Sequence, residues 1–137
     1  MRSSTIRLVV VLPGKPDEVF AALTNTRIIA QWCGQKGKVE PKIRGKVEMF
    51  DGWVKGKVLK FKPGKGLAYT WQPGGWPAGS RESVVQYGFT LAKGGTKVVL
   101  EHSGFPNEKE RKNYKSGWME FLFDPLRSYL SSLQQPE

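Results

Sequence analysis

Hydrophobic residues follow two periods along this chain, and the changes from one to the other mark its elements. The opening run "TIRLVVVL" (5–12) is rich in β-branched residues and stops at Pro13-Gly14, which predicts a strand. "KPDEVFAALTN" then takes a helical spacing, with Val19, Phe20 and Leu23 as its apolar stripe. Pro16 suits the first helical position, and Asp17 and Glu18 suit the positive end of the helix dipole. A second short helix, "RIIAQWC", carries Ile28, Ile29 and Trp32 on one side, with Thr26 as its expected cap.

From Gly34 to Ser103 the period shortens to two, and glycines punctuate it. Strands are predicted near 37–41, 44–51, 53–62, 67–72, 82–92 and 95–103, joined as an antiparallel meander. The clearest turn is "AKGGTK" (92–97), where paired glycines accept positive φ. Within 53–62 the lysines change phase: Lys55 and Lys57 share one parity, Lys60 and Lys62 the other. Keeping all four on one face requires a β-bulge near Val58-Leu59. "QPGGWPAGS" (72–80) reads as a loop, with Trp76 either packed beneath it or serving as a lid or anchor.

The last segment predicts one long helix over 107–134. Tyr114, Trp118, Phe121, Leu122, Leu126, Tyr129, Leu130 and Leu133 recur at steps of three and four, and Asn107 can cap it. Gly117 and Pro125 oppose a regular helix, at about 1 and 3 kcal/mol against alanine. A kink near 121–125 is therefore expected, letting the helix curve against a bent sheet. The whole reads as one α+β domain over 1–137.

Composition adds three bounds. Cys33 stands alone, so no internal disulfide forms and a reduced, cytoplasmic setting is expected. The run "LVVVL" is too short for a signal-peptide core, and no stretch approaches a membrane span. The net charge of +10 is concentrated: residues 36–65 hold ten basic and three acidic side chains. Lys42, Arg44, Lys46, Lys55, Lys57, Lys60 and Lys62 are the candidate basic docking face, a field that attracts anionic partners or serves only solubility. Aromatics do interleave with it (Phe50, Trp53, Phe61), but the core needs them and no base-stacking motif stands out, which disfavours nucleic acid.

The joint order of three stretches resembles the helix-grip (START-like, birch-pollen-allergen-like, SRPBCC) superfamily. They are "LPGKPDEVFAALTNTRIIAQW" (12–32), "GKVEMFDGWVKGKVLKFKPGKGLAYTW" (45–71) and "GGTKVVLEHSGFPNEKERKNYKSGWMEFL" (94–122). The chain is more closely similar to the family of the C-terminal domain of the activator of the heat shock protein 90 ATPase. Val19-Phe20, Trp32, Gly45, Gly56, Gly95-Thr96, His102, Gly104-Phe105 and Gly117-Trp118 carry that likeness. It implies a β-α-α-β6-α fold with a hydrophobic cavity between a bent antiparallel sheet and the C-terminal helix. Relatives include chaperone stimulators, lipid and hormone carriers, and polyketide cyclases, so fold alone does not fix function.

Catalytic chemistry has little to work with. One histidine and one cysteine cannot make a zinc site, no Walker loop or dinucleotide fingerprint occurs, and no nucleophile elbow surrounds a serine. No metal or cofactor is expected. In 95–103, Thr96, Val98, Leu100 and His102 share a parity opposite Lys97 and Glu101, which turns His102 toward the concave side. There it is a structural imidazole, a contact for a polar ligand head, or a general base. Val85, Tyr87 and Phe89, with Tyr69 and Trp71, form the expected cavity wall, joined by Trp32 and Leu100. Trp118, Phe121 and Leu122 would close it from the helix. The expected function is non-catalytic binding of a small hydrophobic molecule or lipid. The alternative is a chaperone-associated module docking its basic strands on an acidic partner.

Overall fold

The structure, a computed structural model, describes residues 5–76 and 82–134. Residues 77–80 of the expected 72–80 loop lie outside the described residues. Seven strands form one antiparallel sheet: β1 (Ile6–Leu12), β2 (Lys38–Val39), β3 (Lys46–Met49), β4 (Val54–Lys62), β5 (Gly66–Pro73), β6 (Ser83–Ala92) and β7 (Gly95–Ser103). Their order across the sheet is β1-β7-β6-β5-β4-β3-β2, so only β1 joins out of sequence, pairing with β7. The β6–β7 hairpin turns where expected, with Gly94 and Gly95 at φ 89° and 143°.

Helices α1 (Pro16–Thr24) and α2 (Thr26–Cys33) follow β1 and pack Val19, Phe20, Leu23, Ile29 and Trp32 into the core. The α2 cap is Asn25 rather than Thr26: its Oδ1 accepts from the Arg27 and Ile28 N–H groups at 3.0 and 3.2 Å. Asn25 stands one residue earlier in the extended conformation a cap needs, while Thr26 is already helical.

The C-terminal helix is not one continuous α-helix. It consists of α3 (Glu108–Gly117), a π-helical turn (Trp118–Phe123) and α4 (Asp124–Gln134). Pro125 has no N–H to give, and its ring crowds the carbonyl four residues back, so a regular ladder cannot pass it. The chain answers with a wider turn, in which the Asp124 N–H bonds to the Met119 carbonyl five residues back. The extra residue changes which side chains face inward. Trp118, Leu122 and Phe123 are buried together, whereas Phe121 is left 59% exposed. Leu133, expected on the apolar stripe, is exposed near the helix end.

The expected bulge lies between Val58 and Lys60. Before it Lys55 faces Gln72, and after it Lys60 faces Ala68 and Lys62 faces Gly66. These β5 partners share one parity, so the lysines of β4 stand on one, convex face. The other parity, Tyr69 opposite Val58 and Leu67 opposite Phe61, faces the helices. No helix among the described residues is long and apolar enough to cross a membrane.

Candidate functional site

A cavity of about 500 Å³ opens where the β3–β4 hairpin and β5 face α3 and the π turn. Trp71, Trp118 and Leu122 are its buried wall, and Phe50 leans on Trp71 with ring centroids 6.3 Å apart. Trp53 and Phe121, both more than half exposed, form the rim. Gln35, Glu110 and Asn113 supply polar groups, and Gly117 lets the helix backbone itself line the space. Along α3 and the π turn, the lining residues 110, 113, 114, 117, 118 and 121 fall at helical steps of three and four.

The hairpin that presents Phe50 and Trp53 is conformationally costly. Phe50, Asp51 and Gly52 take φ of 55°, 59° and 89°, and only glycine adopts that region freely. Each non-glycine residue there costs about 1 kcal/mol or more. Asp51 offsets this by clamping the segment after α2: its Oδ1 accepts from the Lys36 N–H at 2.7 Å, and its own N–H donates to the Lys36 carbonyl at 2.9 Å. The same clamp brings the neighbouring Gln35 to the cavity.

Behind the wall lies His102, fully buried. The Trp118 indole can only donate, and its Nε1–H reaches His102 Nδ1 at 3.1 Å. Nδ1 is therefore the acceptor and the ring proton sits on Nε2, which donates to Ser83 Oγ at 2.8 Å. Ser83 in turn donates to the Trp71 carbonyl at 2.6 Å. Burial pushes the imidazole down to about 3, so it is neutral at physiological pH. A Ser-His pair is thus present, but the histidine already holds a proton on the nitrogen facing serine and cannot take another from it there. The network fixes Trp71 and Trp118, the two large faces of the cavity. Trp76, 8% exposed, stacks over the His102 ring at 6.5 Å and meets Phe105 at 5.9 Å.

Of the residues expected at the cavity, Trp71, Trp118, Phe121 and Leu122 line it. Trp32, Tyr69, Val85, Tyr87, Phe89, Leu100 and His102 are buried outside that lining. Trp32 is tied into the α1–α2 corner, donating from Nε1 to the Ala22 carbonyl at 2.7 Å. The Tyr69 and Tyr87 hydroxyls bond each other at 2.7 Å, and burial pushes both phenols well up. Period-two parity finds the concave face but not which part of it is hollow. Phe50 and Trp53 are expected in the core as aromatics of the basic stretch; the signal that exposes them is "FDGW", an Asp-Gly turn that carries both flanking aromatics to a hairpin tip. Glu110 and Asn113 carry no apolar period on α3, Gln35 lies in the segment after α2, and Tyr114 reads from its spacing only as part of the apolar stripe, so none of the four is marked as lining by pattern.

Lys46, Lys55, Lys57, Lys60 and Lys62 are exposed on the convex face, and Lys42 and Arg44 are exposed in the β2–β3 connection. Lys46 stands directly opposite Lys57, and Glu48 opposite both Lys38 and Lys55. Among the described residues no group of three or more His, Cys, Asp or Glu side chains could hold a metal ion.

Three comparisons place this architecture among known proteins. A family model described as "Activator of Hsp90 ATPase homolog 1-like protein" matches residues 14–131. The mouse protein "Activator of 90 kDa heat shock protein ATPase homolog 2" is 24% identical over 119 residues, 87% of this chain. The chain spans about a third (35%) of that relative's length. A crystal structure of a Mesorhizobium loti protein superposes with a TM-score of 0.81 at 27% identity, covering 96% of this chain and 99% of that one. An HSP90 activator from Plasmodium falciparum gives 0.81 at 20% identity, covering 93% and 96%. With the match running from the β1–α1 turn into α4, this chain belongs to the family of Activator of Hsp90 ATPase homolog 1-like proteins.

Proposed function

We propose that this domain is a non-catalytic carrier or sensor of a small hydrophobic molecule, held between the β3–β4 hairpin and the π turn and working in the cytoplasm. The observation that carries the reading is the cavity itself: about 500 Å³, walled by Trp71, Trp118, Phe50 and Leu122. Ligand pockets commonly span about 300–1,000 Å³, with apolar walls and few polar groups. A ligand burying about 250 Å² of apolar area gains roughly 6 kcal/mol at about 25 cal/mol per Å². Immobilisation offsets part of that, so affinity is expected to be no better than about micromolar.

Titration with the neutral dye N-phenyl-1-naphthylamine, followed by tryptophan emission, tests this. Saturable quenching is expected, since Trp53, Trp71 and Trp118 all border the space. Leu122→Trp should fill it and abolish the change while far-UV circular dichroism stays native. An unsaturable response in the wild-type protein would sink the reading.

A second reading rests on a different observation. The bulge after Val58 aligns the β4 lysines on one convex face, and relatives in this family are named as activators of a chaperone ATPase. Docking of that face on an acidic chaperone surface is compatible with an occupied cavity on the other side of the sheet. Such a complex would weaken steeply as salt rises.

A further inference from the structure

The cavity's charge runs against that of the chain. Lysine and arginine make up 22 of 137 residues, yet among the described residues none lines the cavity. Among the described residues Glu110 is the only carboxylate in the lining, and it enters no ion pair with any of them. Arg111, the next residue, is turned to Glu108 instead, with Nη2 to Oε2 at 2.6 Å. A fatty acid or other anion seated here would find no cation among the described lining residues to pair with, and a buried charge without a partner is costly.

Six aromatic rings complete the picture. Trp71 sits 5.0 Å from Trp118, 6.3 Å from Phe50 and 6.4 Å from Tyr114, centroid to centroid, while Trp53 and Phe121 stand at the rim. Ring faces carry negative potential and attract organic cations, most strongly where water is excluded. The carboxylate's influence reaches the wall: burial foremost, with Glu110 adding to it against the opposing Trp71 hydrogen bond, pushes the Tyr114 phenol up to about 12. The lysines of β4 lie on the opposite face of the sheet. At physiological salt, charges are screened over about 8 Å, so their repulsion is muted in the cavity.

We propose that the ligand is a lipophilic organic cation, a tertiary or quaternary ammonium group on an apolar body. The ammonium lies between Glu110 and the aromatic rim, and the body lies against Trp71, Trp118 and Leu122. This rests on the ligand-binding reading above and narrows it by charge. Anions, in contrast, are drawn to the convex lysines.

Isothermal titration calorimetry with three probes that share a ten-carbon chain separates the two claims. Decyltrimethylammonium, decanol and decanoate are each titrated below micelle formation at about 0.15 M salt. The cation should bind roughly tenfold more tightly than the alcohol, and decanoate most weakly. Glu110→Gln should bring the cation down toward the alcohol without moving the alcohol itself. Trp53→Leu, which keeps apolar area and loses the ring face, should act in the same direction. Decanoate binding as tightly as the cation, or a cation preference that survives Glu110→Gln, overturns the inference and leaves the cavity reading standing. If none of the three binds, the cavity reading falls and this inference falls with it.

Discussion

The concave side of the sheet is solid at one end and hollow at the other, although both ends are built from the same kind of residue. At the solid end Phe20 packs edge-on against Phe61 and Phe89 at 5.0 and 5.6 Å, the Tyr69–Tyr87 pair bridges β5 and β6, and Leu126 and Leu130 of α4 are fully buried. At the hollow end Trp71, Phe50, Tyr114 and Trp118 are just as aromatic but enclose about 500 Å³. Composition does not separate the two ends. Backbone does: α4 is a regular helix that buries Leu126 and Leu130 in the core, whereas the π turn widens the helix and leaves Phe121 at the mouth. Opposite it, the strained Phe50-Asp51-Gly52 turn holds the hairpin tip out as the other lip. Hollow space here is a product of two irregular backbones facing each other, and the His102 network behind Trp71 and Trp118 ties the two cavity walls together.

The most forceful way to break this comparison is to cut one large side chain from each end. Leu130→Ala removes a fully buried leucine from the solid end and should cost about 2–5 kcal/mol of stability, with dye affinity nearly unchanged. Phe121→Ala at the hollow end removes a ring that is 59% exposed and should cost little stability while weakening dye binding severalfold. Chemical denaturation and dye titration on both variants give the answer. Matching stability losses would mean that the rim is ordinary core.

How far the sequence foretells this arrangement depends on the element. The lysine phase change in β4 announces the bulge, because charged side chains have only one tolerable face. Pro125 announces trouble in the last helix but not its form. A kink and a π turn both spare the missing N–H, and the choice depends on Leu122 and Phe123 finding room together against the sheet. The Phe50–Trp53 lip depends on Asp51 reaching the Lys36 backbone 15 residues away, a contact that no local pattern carries. The concave parity was legible for Tyr69, Tyr87 and Trp71 alike; which of them meets a void is decided by the helix opposite.

Acid sharpens the comparison behind the cavity wall. Unfolded, an imidazole titrates near 6.5; in the folded chain burial lowers His102 to about 3. Acid therefore favours the unfolded chain. The stability that neutral His102 contributes is fully present above about pH 6.5 and is lost as pH falls toward 3, by up to about 1.4 kcal/mol per pH unit. His102→Gln removes the titrating group, so its stability should decline less steeply than the wild type's between about pH 6 and 4. Urea denaturation of both proteins across that range measures the difference in slope. Parallel curves would mean that His102 is not held neutral, and that the proton assignment linking Trp118, His102 and Ser83 is wrong.

The smallest expected effect lies on the convex face. Lys46 and Lys57 are directly cross-strand on β3 and β4, a like-charged pair on an exposed surface. Such pairs are destabilising by roughly 0.2–1 kcal/mol relative to neutral ones, and opposite charges are favourable by a similar amount. Lys57→Glu should therefore leave the protein as stable or slightly more stable, and dye affinity in the cavity should not move. If the lysines form a docking surface, the same substitution should weaken binding to a polyglutamate probe at low salt, because it inverts one charge amid Lys46, Lys55 and Lys60. That pairing of outcomes would identify the like-charged pair as a feature kept for a partner at some expense of stability. A stability gain with polyglutamate binding intact would instead assign these lysines to solubility. The two faces of the sheet would then differ in function as well as charge, with the concave side alone engaging a ligand.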